Sequence, residues 1–375
     1  MILERGWNLV STFIVPFDSE VTHLLADIQE RENLRIMKNV FGDFWWPQYN
    51  YNGLGNWDFH QGYLICVEEA DEFYVNGERT PPDTPIDLRI GWNMISYFLD
   101  RPVDCEIALS GVVDQLGLAK DGWGRFYAPE FGYNGLGDMV AGRGYKLKML
   151  QRQQLIYNAD DEVGLMRHKG GNCLDYLTST GIDMSLLVTE IDGIENTENV
   201  EIRIIGEMGS GQVGGGLIDQ IPCGIIIRGD DETSDIIEGA LQDEPLLIEL
   251  ITSGRTYKPQ IETVAGELRF TTDGFSVIKL NLDNITLPTD YVIDKIYPNP
   301  FNQRTNLRFG LPEDTKVELL VMDLNGRRVY RSPSRHLQAG WHSYNFDAVS
   351  WSSGIYIVEL ITENARISKK LVLLR

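Results

Sequence analysis

Gly6-Trp7-Asn8-Leu9-Val10-Ser11 returns as Gly91-Trp92-Asn93-Met94-Ile95-Ser96, an offset of 85 residues. Tyr51-Asn52-Gly53-Leu54-Gly55 returns as Tyr133-Asn134-Gly135-Leu136-Gly137, and Gly62-Tyr63-Leu64 as Gly144-Tyr145-Lys146, both at an offset of 82. Pro47 and Pro129 keep that second register. Repetition at one period marks a supersecondary unit used twice. Between the anchors, Val21, Leu24, Leu25 and Ile28 fall at i, i+3, i+4, i+7, as do Leu109, Val112, Val113 and Leu116, which predicts a short amphipathic helix in each unit. Asp18 or Ser19, and Asp104, stand where an N-cap oxygen would meet the first free amides. Each unit therefore reads as a strand at Gly-Trp-Asn, a helix, and strands around an Asn-Gly turn with φ > 0. The expectation is a small α+β or mostly β module, present as residues 1–82 and 83–157.

Further along, alternating runs such as Val200-Glu201-Ile202-Arg203-Ile204 and Leu246-Leu247-Ile248-Glu249-Leu250 read as half-buried strands, and residues 158–286 are expected to form a middle β-sandwich. Gly209-Ser210-Gly211-Gln212-Val213-Gly214 matches G-x-G-x-x-G, but Gly215, Gly216 and Pro222 break the helix that a dinucleotide loop must open onto. A glycine-rich hairpin turn is the expected structure. Asp230, Asp231 and Asp235 sit in a run of four carboxylates that could ligate calcium, although the EF-hand glycine and glutamate are missing. The alternative is a solvated acidic turn.

A formal charge of −22 argues against a nucleic-acid partner, which needs clustered Lys and Arg. Cys66, Cys105, Cys173 and Cys223 match no metal or redox spacing and read as buried small apolar residues, with a Cys173–Cys223 disulfide as the alternative in an oxidising compartment. His23, His60, His168, His336 and His342 show no ligand spacing, and the nucleophile-elbow, zincin and Walker motifs are missing, so no enzyme activity is expected. No run is long and apolar enough to span a membrane, and Met1 to Phe13 does not read as a signal peptide. A secreted protein would then need its signal peptide upstream of Met1.

The C-terminal region reads Tyr297-Pro298-Asn299-Pro300-Phe301-Asn302, Leu311-Pro312, Val317 to Gly326, Ala339-Gly340-Trp341-His342, Ser353-Gly354-Ile355-Tyr356 and Lys369-Lys370-Leu371-Val372-Leu373-Leu374-Arg375. Val317, Leu319 and Val321 alternate with Glu318, Leu320 and Met322, and Asn325-Gly326 signals a hairpin. These patterns predict an immunoglobulin-like β-sandwich over residues 287–375. The ordered motifs resemble the type A C-terminal sorting domain of the type IX secretion system, with Gln303 and Phe346-Asp347-Ala348 as departures. That resemblance implies recognition of residues 288–375 by the secretion machinery, removal by a sortase-type peptidase and attachment to surface lipopolysaccharide. The paired Gly-Trp-Asn-Leu units resemble modules of large secreted proteins of Bacteroidota-like bacteria.

The expected protein is mainly β, secreted or at the outer cell surface, and serves adhesion or structure. A carbohydrate-binding region is the sharper alternative, because sugars stack on aromatic faces. Trp45, Tyr51, Trp57, Trp123 and Tyr133 are the glycan candidates. A third alternative is the accessory tail of a secreted hydrolase. Expected partners are the type IX machinery and a surface glycan or another surface protein.

Overall fold

The computed structural model describes residues 1–157, 171–172, 181–194, 200–208, 210–231, 237–252, 255–282, 290–337, 339–349 and 351–374. It is mainly β, as the alternating runs predict, and divides into two compact units, Met1–Leu282 and Asp283–Arg375.

In the first unit, strands Gly6–Val10, Tyr63–Val67, Leu34–Lys38, Phe44–Trp46 and Tyr51–Asn52 form an antiparallel sheet in that order. Gly91–Ile95, Tyr145–Met149, Leu116–Lys120, Phe126–Ala128 and Tyr133–Asn134 form a second sheet in the same order. The Gly-x-Asn motif has a local cause in both. Gly6 and Gly91 lie at φ +89° and +86°, where a Cβ is strained. Asn8 Oδ1 accepts from the Glu4 amide at 2.8 Å while its Nδ2 donates to the Glu4 and Gly6 carbonyls. Asn93 repeats the pattern with Arg89 and Gly91. The asparagine thus ties down the chain that enters the first strand.

The helical segments depart from the expected single helix. In the first module Val21–Leu24 and Ala26–Glu30 are two short helices, and the residue before them is Glu20, whose side chain does not cap. In the second module Cys105–Ala108 is α-helical with the Asp104 carboxylate accepting from the Glu106 amide at 2.8 Å, and Ser110–Gln115 tightens to a 3₁₀ helix. Gly111 lies in that stretch, and glycine is a poor α-helix former. The turn also differs. Positive φ falls at Asn50 and Gly132, which end 3₁₀ turns opened by Pro47 and Pro129, and at Gly55 and Gly137, so the Asn-Gly pairs themselves are not the left-handed residues. Asn52 and Asn134 instead accept backbone amides, from Gly55 at 3.1 Å and Gly137 at 2.9 Å.

The two modules meet through paired backbone hydrogen bonds. Gly144 donates its amide to the Leu9 carbonyl at 3.0 Å, and Gly62 donates to Met94 at 3.2 Å. Ser11 donates its amide to Gly142 and Ser96 donates to His60, each at 3.2 Å. Each bond in one direction has a mate between equivalent residues in the other, which is the arrangement of a two-fold contact within one chain.

The middle region forms a continuous nine-stranded sheet whose main path runs Arg255–Tyr257, Leu246–Thr252, Glu201–Gly206, Gly211–Leu217, Cys223–Arg228, Asp183–Asp192, Phe275–Asn281 and Gln260–Ala265; Gly171–Asn172 pairs with Cys223–Arg228. The glycine-rich motif runs from the hairpin turn that joins Glu201–Gly206 to its antiparallel neighbour, where Ser210 lies as expected, into the strand Gly211–Leu217. A Cβ at Gly214 would collide with the Ile226 carbonyl, and one at Gly215 with that of Ile202, so close strand approach explains these glycines. Gly209 lies outside the described residues.

Two lysines fasten the second module to this sheet. Lys120 Nζ lies 2.5 Å from Asp183 Oδ1 and 2.9 Å from Asp273 Oδ1, and Lys146 Nζ lies 2.9 Å from the same Asp273 oxygen. Lys120 is fully buried; burial opposes its charge, but the two carboxylates outweigh that and raise its pKa. Around the network, Leu118, Phe126, Ala128 and Tyr133 share a core with Leu187 and Val277.

The second unit is a two-sheet sandwich. Val292–Tyr297, Arg304–Leu311 and Gly340–Asp347 form one sheet; Arg328–Arg331, Thr315–Asp323, Gly354–Ile361 and Arg366–Leu373 form the other, with Arg335–Leu337 paired to the start of Thr315–Asp323. The inward residues follow the strand period: Leu307, Phe309 and Leu311 share a core with Val317, Leu319 and Val321, Val358 and Leu360, and Leu371 and Leu373. Gly326, at φ +78°, closes the Asn-Gly hairpin, and Asp323 Oδ1 accepts from the Asn325 and Arg327 amides, both at 2.9 Å.

Candidate functional site

Two clefts flank the seam between the modules. The first, of about 280 Å³, is lined by Ile2, Glu4, Trp7, Asn8, Asp121, Gly122, Trp123 and Arg143 among others. The second, of about 420 Å³, is lined by Phe41, Asp58, His60, Gln61, Asp87, Arg89 and Asn93 among others. They are mates under the equivalence of the modules. Trp123 corresponds to Phe41 and Arg143 to Gln61 at the offset of 82, while Glu4 corresponds to Arg89 and Asn8 to Asn93 at the offset of 85.

Matching turns hold the two aromatic residues. Asp121 Oδ1 accepts from the Trp123 amide at 3.0 Å and the Arg125 amide at 2.9 Å; Asn39 Oδ1 accepts from the Phe41 amide at 2.9 Å and the Asp43 amide at 3.0 Å. Arg125 also pairs with Asp121 Oδ2 at 2.7 Å. Burial nevertheless pushes the Asp121 carboxyl above its usual pKa. In the first cleft the Arg143 guanidinium lies 3.6 Å from the Trp123 ring, and Trp123 Nε1 points at Glu4 Oε2, 3.5 Å away. In the second, the Arg89 guanidinium lies 4.0 Å from the Phe41 ring, and His60 Nδ1 lies 2.8 Å from Asp58 Oδ1.

The five glycan candidates separate. Trp123 is 38% exposed and lines the first cleft. Tyr51 is 49% exposed and packs on Phe44 with ring centres 4.8 Å apart. Trp45 and Trp57 are each 3% exposed and belong to the core of the first module, so neither offers a face to a ligand. The register that pairs Trp45 with Met37 turns it inward, and Trp57 packs on Tyr63 at 4.5 Å. Tyr133 is a third correction. Its pair with Phe126 has the same 4.8 Å spacing as Tyr51 with Phe44, but Tyr133 is fully buried, because the middle sheet covers this face. A Cβ at Gly224 would overlap the Tyr133 hydroxyl, and Phe275 stands 5.8 Å from Phe126.

The acidic turn is also corrected in part. Asp231 is buried, and its carboxylate accepts from Trp7 Nε1 at 3.0 Å and lies 4.0 Å from Arg35, so it ties the middle region to the first module and does not stand among solvated ligands. Asp230 Oδ1 accepts from the Glu238 amide at 2.9 Å. Asp235, Cys173 and His168 lie outside the described residues. Cys66 and Cys105 are buried as expected, and burial pushes the Cys66 thiol up to about 11. The clefts themselves were missed as sites, since Glu4 and Trp123 are brought together only by the folded seam.

In the C-terminal unit the last strand supplies both core and edge. Arg366–Leu373 pairs along its whole length with Gly354–Ile361 and forms that sheet's outer edge. The Phe301 amide donates to the Val372 carbonyl at 2.9 Å, and the Leu374 amide donates to Phe301 at 2.8 Å. The sandwich and the motifs along it fix the comparison. Residues 295–374 match the secretion system C-terminal sorting domain. A sorting domain of this kind marks a secreted or outer-surface protein and implies interaction with the type IX secretion machinery. No helix among the described residues is long and apolar enough to cross a membrane. No curated protein matches the chain. Among solved structures it is similar to dimeric latent PorU from Porphyromonas gingivalis, at 9% identity and a TM-score of 0.19, over 78% of this chain and 32% of that one. The chain thus spans about a third of PorU's length. It is also similar to the N-terminal four Ig domains of Dscam1 isoform 7.44, at 10% identity and a TM-score of 0.15, over 91% of this chain and 90% of that one.

Proposed function

We propose that the chain is a non-enzymatic surface protein in which Met1–Leu282 is the displayed part and residues 288–375 are the export signal, removed by a sortase-type peptidase as the displayed part is attached to surface lipopolysaccharide. The displayed part is two copies of one module, bonded to each other and fastened to the middle sheet, and it serves adhesion or structure. The sorting-domain match at 295–374 carries the export half of this reading. The displayed half is supported by the seam. Reciprocal hydrogen bonds and the Lys120 network spend the chain's polar groups on holding domains together, as a load-carrying spacer or adhesin requires. The test fuses residues 288–375 behind a foreign signal peptide and passenger in a host with type IX machinery. Export to the surface with loss of the tail supports the reading. A folded fusion that stays periplasmic, beside a known sorting domain that exports the same passenger, overturns it.

A further inference from the structure

The two clefts share a feature that the equivalence of the modules does not supply. Each holds a guanidinium against an aromatic ring, Arg143 on Trp123 at 3.6 Å and Arg89 on Phe41 at 4.0 Å. Yet the arginines are not mates: the counterpart of Arg143 is Gln61, and that of Arg89 is Glu4. A feature merely carried along with the module would keep its position. Here the same stacked pair is built twice from different positions, which points to a use for the stack itself.

The Trp123 cleft has the fuller set of groups. Arg125 is neutralised by Asp121, whereas Arg143 makes no ion pair among the described residues and is half-buried. Glu4 Oε2 lies at the edge of the indole. The cleft thus presents an indole that carries the Arg143 guanidinium at 3.6 Å and has Arg125 at 5.5 Å, yet is still 38% exposed, together with the guanidinium's free donors and a carboxylate that only accepts. This complements a pyranose ring whose C–H face packs on the part of the indole that the guanidinium leaves open while its hydroxyls bond to the acid and to the guanidinium. Charge selects among saccharides. The two unpaired charges of the cleft are of opposite sign, and residues 1–282 carry 45 acidic against 21 basic side chains, so a polyanion is repelled at long range.

We propose that the Trp123 cleft between the two modules is a binding site for an uncharged pyranose saccharide. The inference rests on Met1–Leu282 being the displayed part, but its test does not use export, so either can fail alone. The purified full chain is titrated with neutral oligosaccharides of glucose, mannose, galactose and N-acetylglucosamine, and with uronate oligosaccharides, by calorimetry and tryptophan fluorescence. At least one neutral series is expected to bind. Trp123→Ala and Glu4→Gln should each weaken it tenfold or more. Glu4→Gln leaves the indole in place, so it decides the matter if Trp123→Ala melts at a lower temperature. Failure of every neutral series, preference for uronates, or unchanged affinity in Glu4→Gln overturns the proposal.

Discussion

Ser11 and Ser96 exchange equivalent hydrogen bonds across the seam between the modules. The Ser11 hydroxyl donates to the Arg143 carbonyl at 2.5 Å and the Ser96 hydroxyl to the Gln61 carbonyl at 3.0 Å, and both side chains are fully buried. Losing either hydroxyl leaves a partly buried carbonyl short of a donor, a cost of about 1 kcal/mol. Ser11→Ala and Ser96→Ala are each expected to lower the unfolding free energy by that much, read from urea denaturation. Ser11 should cost more, because its oxygen also accepts from the Tyr97 amide at 3.3 Å. Equal, negligible shifts in both variants would mean the seam is held by its backbone bonds alone.

Asp273 makes stability depend on pH. Burial favours the protonated acid, but Lys120 and Lys146 overcome it and hold the Asp273 carboxyl at about 2. An unfolded aspartate titrates near 4. The contribution of Asp273 is therefore complete above that value and disappears as the pH falls towards about 2, a loss of about 2 kcal/mol. Asp273→Asn is expected to destabilise the chain at neutral pH by about 3 kcal/mol, since it leaves Lys120 and Lys146 underpaired, and to flatten the acid limb of the stability curve. Chemical denaturation at pH 7, 4 and 3 reads both effects.

Two glycines should fail for different reasons. Gly91 sits at φ +86° with open space where a Cβ would go, so Gly91→Ala is expected to cost only backbone strain, about 1–2 kcal/mol. At Gly224 a Cβ would strike the Tyr133 hydroxyl and the Phe126 ring. Gly224→Ala should push the middle sheet off the second module. Limited proteolysis and tryptophan fluorescence would show this as an exposed boundary, which Gly91→Ala should not produce.

How much of this was legible follows from the range of each interaction. The Gly-x-Asn anchors could be read because their cause is local: a left-handed glycine and an asparagine bonding within four residues. The sandwich of the C-terminal unit could be read because Val317, Leu319 and Val321 alternate with outward residues. Trp45 and Trp46 show the limit. Both are aromatic, and only the pairing of Met37 with Trp45 decides that Trp45 points inward. Tyr51 and Tyr133 show a second limit. They lie in identical pentapeptides, and Tyr133 is buried because strands far along the chain, carrying Leu187 and Val277, cover it. Local sequence cannot report a neighbour that arrives by tertiary packing. The single helix expected in each module failed for a milder reason, because apolar spacing does not register where a short helix breaks or tightens.

The sorting domain yields the prediction that separates recognition from folding. Deleting Lys369 to Arg375 removes Leu371 and Leu373, both fully buried, together with most of the eight-residue edge strand that pairs along its length with Gly354–Ile361. Such a deletion exposes the core and a fresh strand edge, so it blocks export whether or not the machinery reads these residues. Point changes avoid the confusion. Lys370 is exposed, and the exposed Leu374 side chain lies beyond the last paired residue. Lys370→Glu and Leu374→Ser should leave the unfolding free energy of the isolated sandwich within about 0.5 kcal/mol of the parent, as surface changes do. If the terminal residues are read directly, the double variant is expected to accumulate in the periplasm, folded and protease-resistant, with its passenger. Lys369→Ala is the contrasting case. Its ammonium donates to the Ile293 and Asp294 carbonyls, at 3.0 and 2.6 Å, so it should loosen the sandwich before it affects recognition. Normal export of the folded Lys370→Glu, Leu374→Ser variant would place recognition elsewhere on the sandwich.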